Sequence, residues 1–156
     1  MGTFSKLFCE SKKNDLFKIT GKNYTYKYMG YGQFCFKSST NDSELITGVE
    51  DVILIVQNTN ISTFFQLIDT LSNFKDDKTS LYVLYQVSNL RKAALFDELH
   101  ALLDMGKIGL ECFEENNQNN QFSNIPLDCI QDYIIKSRKQ LFLISGSKNF
   151  YGNLKS

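Results

Sequence analysis

The chain has no tryptophan, one proline and one histidine, and its 17 basic side chains are matched by 17 acidic ones. That balance leaves no global field to draw in nucleic acid or an anionic membrane surface. His100 stands alone, and Cys9, Cys35, Cys112 and Cys129 are spread too widely for a C-x-x-C pair, so a structural zinc lacks ligands and no metal is expected. No apolar run approaches the ~18 residues that a membrane span needs, and the N-terminus has no signal-like apolar segment. Free thiols in a cytoplasmic protein follow from these absences.

Glycine is missing where a phosphate would need it. Gly30-Tyr31-Gly32 has no third glycine and leads into a strand pattern rather than a helix. Residues 57–60, behind the first long apolar run, contain none, and there is no Walker lysine. Gly146 follows the last apolar run without a helical pattern behind it. These gaps speak against a dinucleotide-binding or P-loop fold, and no cofactor is expected.

Hydrophobic residues make up 42% of the chain, with 13 Phe and 8 Tyr. A chain of 156 residues buries about two-thirds of its unfolded surface without staples, so one domain over residues 1–156 is expected. Its parts are a short helix with a β-ribbon over 1–37, an α/β core over 51–145 and a loose tail over 146–156. Within the core, Val52-Ile53-Leu54-Ile55-Val56 is apolar on both faces and mostly β-branched, which describes an interior strand. Ile61, Phe64, Phe65, Ile68, Leu71 and Phe74 then fall on one stripe of a helix over 61–75, with Asn60 as its N-cap.

Leu81-Tyr82-Val83-Leu84-Tyr85 repeats the strand pattern, and a second helix runs from a Ser88 or Asn89 cap to Met105, with Gly106 as its stop. Residues 109–113 form a short strand, and the Asn/Gln run at 116–121 a polar loop. Pro126 opens a third helix over 126–139, and Leu141-Phe142-Leu143-Ile144 is the last strand. Ahead of the core, residues 16–20, 24–29 and 33–37 read as an antiparallel ribbon, and 38–50 as a polar connection. The fold expected is α/β, with α+β as the alternative: a mixed sheet of two or three parallel strands covered by helices, extended by that ribbon.

Three groups of side chains invite a functional reading. Asp97, His100 and Asp104 share the polar flank of the second helix, where carboxylates can hold an imidazole; ordinary surface charge pairs look the same. Tyr24, Tyr26 and Tyr28 line up on one face of a strand, either toward the core or as a contact surface. Glu111, Glu114 and Glu115 form an acidic patch beside the polar loop, suited to a basic partner.

The opening Met1-Gly2-Thr3-Phe4-Ser5-Lys6-Leu7-Phe8, on a small Phe/Tyr-rich domain, resembles the immunity proteins that accompany bacterial contact-dependent or type VI toxins. The resemblance implies a non-enzymatic protein-binding module that inhibits a cognate toxin by stoichiometric binding. Tyr24, Tyr26, Tyr28, Glu111, Glu114 and Glu115 are then the candidate contact residues. The alternative is a small enzyme that uses His100 or a cysteine with carboxylate help.

Overall fold

The computed structural model describes residues 25–37, 42–114 and 125–154. Four parallel strands carry the core: β4 (Asp51–Gln57), β5 (Ser80–Val87), β6 (Gly109–Glu114) and β7 (Gln140–Ser145), in the spatial order β6-β5-β4-β7. As its unbroken apolar run requires, β4 is interior, with Leu54 opposite Val83 on one side and Leu143 on the other. Residues Val52 to Val56 are at most 2% exposed, which is possible only when helices cover both faces of the sheet.

Alternation along the strands divides the core in two. Val52, Leu54, Val56, Leu81, Val83 and Tyr85 face one layer. Against them lie Leu67, Ile68 and Leu71 of α1 (Phe65–Asn73) and Leu99 of α2 (Phe96–Asp104). Ile53, Ile55 and Leu84 face the other layer, where α3 (Leu127–Asp132) and α4 (Lys148–Asn153) contribute Ile130 and Phe150. The tail expected to be loose is therefore anchored, since Phe150 is 2% exposed.

A second sheet of three antiparallel strands, β1 (Tyr26–Gly30), β2 (Gln33–Lys37) and β3 (Ser43–Ile46), packs onto the first layer through Phe34. Its third strand falls inside the stretch expected to be a polar connection. Gly32 turns the chain between β1 and β2 at φ +68°, and a Cβ there would meet the Val49 carbonyl oxygen at 2.1 Å, so the position admits only glycine. Tyr28 Oη donates to the Asp77 carboxylate, which also accepts the Tyr31 N–H at 2.9 Å, tying this sheet to the start of β5. The short N-terminal helix, the strand over 16–20 and the Asn/Gln loop lie outside the described residues.

The fold class is the α/β arrangement expected, but the helices differ in detail. Chain 61–75 divides into a 3-10 helix, Asn58–Phe64, and α1; Asn60 is not its cap, and its amide donates to the Gln57 carbonyl at 3.0 Å. Asn89 caps only a short 3-10 turn, accepting the Arg91 N–H, and α2 begins later, after Leu95 at φ +58°. The third helix stops at Asp132. Among the described residues no helix is long and apolar enough to cross a membrane.

Candidate functional site

The strand order reverses once. From β4 the chain moves through α1 to β5 and on to β6 at one edge, then crosses back to β7 on the far side of β4. The loops that leave the carboxyl ends of β4 and β7 therefore diverge, and in open parallel sheets that divergence opens the ligand crevice. The glycine gaps in the sequence argued against such a fold; the sheet forms nevertheless, because it rests on the buried strands and not on the turn.

Gln57, Asn58, Ser145 and Ser147 form the rim of the crevice. Ser147 donates its N–H to Gln57 Oε1 at 3.0 Å, bridging the two strand ends. Asn58 sits at φ +49°, a left-handed conformation that a short amide tolerates. Its Oδ1 accepts the Ser88 N–H at 2.8 Å and lies 3.2 Å from the Ser88 hydroxyl. Ser147 caps α4 by accepting the Phe150 N–H at 3.2 Å, and Gly146 is required because a Cβ would stand 2.3 Å from the Phe150 ring.

Thr63, in the 3-10 helix, joins this rim to a cavity. Its hydroxyl donates to the Asn60 carbonyl at 2.7 Å and lies 3.4 Å from Ser145 Oγ. The cavity, about 500 Å³, lies between β1 and the α1 side of the core, lined by Thr25, Tyr26, Lys27, Tyr28, Thr63, Gln66, Leu67 and Thr70. That volume suits an organic ligand. Tyr26 forms an aromatic wall, with Phe64 behind it at a centroid distance of 6.2 Å. Burial pushes the Tyr26 phenol up to about 12, so it remains a neutral donor at ordinary pH. A second groove of about 550 Å³ lies at the amino ends of the strands, among Tyr31, Asp77, Lys78 and Arg138.

A dinucleotide is the ligand such a sheet brings to mind, and the turn after β4 does not suit its diphosphate. That turn has no glycine to let a phosphate approach, and a 3-10 helix stands where an α-helix N-terminus should point into the crevice.

The candidates from sequence scatter. Tyr26 and Tyr28 are half-buried and line the cavity, whereas Tyr24 lies outside the described residues. Glu111 accepts the Tyr133 hydroxyl at 2.6 Å and Glu114 the Leu90 N–H at 3.2 Å; Glu115 lies outside the described residues. His100 packs against Phe96 with ring centroids 4.3 Å apart and the rings tilted by 53°, and Asp97 and Asp104 are exposed on the same helix; none of the three lines the cavity beside Thr63. Cys35, Cys112 and Cys129 are free, and burial pushes the Cys112 thiol up, opposite to what a nucleophile needs. Gln57, Asn58, Thr63, Ser145 and Ser147 were missed. Their signal was position alone, at the polar ends of two apolar runs whose adjacency no local pattern reveals.

No family model and no curated protein matches this sequence. Among solved structures, the cytochrome b5 reductase domain of Ulva prolifera nitrate reductase is similar, with a TM-score of 0.76 at 16% identity. The alignment covers 99% of this chain and 61% of that one, so this chain spans less than two-thirds of its neighbour. At that identity the likeness is one of fold. It overturns the expectation of a toxin-immunity protein, and with it the non-enzymatic toxin inhibitor. The eight residues that carried that resemblance lie outside the described residues, while the described residues share the fold of that reductase domain.

Proposed function

We propose that the chain is a module of a redox enzyme built on the cytochrome b5 reductase fold, and that it holds a redox-active ring in the cavity beside Thr63. The observation that carries this reading is the reversal of strand order between β4 and β7, with a cavity of about 500 Å³ opening next to it. The lining has the parts a heteroaromatic ring requires. Tyr26 offers a face for stacking. The Gln66 amide and the Lys27 ammonium, both on exposed residues, offer donors to ring oxygens and nitrogens. Leu67 closes the apolar side.

Titration with riboflavin, FMN and reduced nicotinamide mononucleotide, followed by ligand fluorescence, tests the reading. At least one should bind, and Tyr26→Leu or Gln66→Ala should weaken it about fivefold, or ~1 kcal/mol. Failure of all three to bind, or equal binding by both folded variants, would overturn it.

A further inference from the structure

Single side chains account for the mismatch between this crevice and a diphosphate. A dinucleotide's diphosphate lies against unoccupied backbone N–H groups, and glycines keep side chains out of its way. Here Gln57 and Asn58 occupy the turn, and each reaches an N–H on a neighbouring loop. Gln57 Oε1 takes that of Ser147 at 3.0 Å, and Asn58 Oδ1 that of Ser88 at 2.8 Å. A further N–H at this end of the sheet, that of Leu90, is taken by the Glu114 carboxylate at 3.2 Å, which also sets a negative charge there. The two amide oxygens thus already take N–H groups of the loops on either side of the β4 end, one after β7 and one after β5, and leave neither to an anionic oxygen.

We propose that Gln57 and Asn58 determine specificity by closing the switch point to diphosphates, leaving the site to ring ligands that lack an ADP half. The inference rests on the reading of this crevice and its cavity as a redox-ligand site. It names the part of a dinucleotide that the site refuses and the side chains that refuse it.

Calorimetric titration of the full chain with ADP and with adenosine isolates the diphosphate. In the native chain ADP should bind no more than about threefold tighter than adenosine, or both should be too weak to measure. In Gln57→Gly/Asn58→Gly, ADP should bind at least about tenfold tighter than it does to the native chain. Glycine suits the positive φ at position 58, so the turn is retained. A native preference for ADP of about tenfold or more would overturn the proposal, as would a folded double variant with no gain. Should the double variant lose its circular dichroism, Gln57→Ala decides. It frees the Ser147 N–H without touching the left-handed turn, and ADP affinity should rise about threefold; no rise overturns the proposal. Absence of riboflavin, FMN and nicotinamide mononucleotide binding would contradict the redox reading, whereas the ADP comparison fails or succeeds separately.

Discussion

Gln57 and Ser147 meet across the gap between β4 and β7, side-chain oxygen to backbone N–H at 3.0 Å. These strands are hydrogen-bonded neighbours along their length, and their loops diverge just beyond this contact. The bond therefore ties the two strand ends together at the crevice rim, and Thr63, 3.4 Å from Ser145 Oγ, links that rim to the cavity.

The amino end of β4 carries a different bond. Asp51 is fully buried and lies 2.7 Å from Arg138 Nη2, with the Gln140 amide donating to its other oxygen at 3.1 Å. Arg138→Met should strand that carboxylate in the interior and lower stability by about 3 kcal/mol in urea denaturation. A loss below about 1 kcal/mol would mean that water reaches Asp51 and replaces the cation.

Leu54 is fully buried at the centre of the interior strand, between Val83 and Leu143. Leu54→Ala should lower stability by about 2–5 kcal/mol, from lost burial and the cavity left behind. A loss under about half a kcal/mol would contradict the interior placement.

Acid should loosen the link between the two sheets. Burial pushes the Asp77 carboxyl up, but hydrogen bonds from Tyr28, Thr79 and the Tyr31 N–H outweigh it and hold the group below the ordinary carboxylate range. A carboxyl depressed by folding stabilises the protein above its unfolded value, and the stabilisation is lost as pH falls through its folded value. Thermal stability should therefore fall below about pH 4, and Asp77→Asn should reduce the slope there. An unchanged slope in the variant would show that other carboxyls carry the acid transition.

The parallel core was legible because residues 52–56, 81–85 and 141–144 are apolar on both faces, a pattern that only a covered sheet satisfies. Their spatial order was not, since it depends on which edge the chain crosses to after β6. The 3-10 start at Asn58 was hidden as well. Ile61 and Phe64 are buried as the helical stripe requires, yet the side chains of Asn60, Ser62 and Thr63 each donate to the backbone carbonyl three residues back. The tyrosine alternation was readable, and it brought Tyr26 and Tyr28 to a common wall. That the wall belongs to a cavity depends on α1 packing beside β1, which period-two alternation does not encode.

The most direct test of the central claim is where a redox ring lands. Backbone amide resonances of the full chain should be followed by NMR during titration with riboflavin. The account predicts perturbations concentrated at Tyr26, Thr63 and Gln66, which line the cavity, and at Ser145 on the adjoining rim. Perturbations confined to Tyr31, Asp77, Lys78 and Arg138 at the opposite end of the sheet, or no perturbation at all, would contradict it.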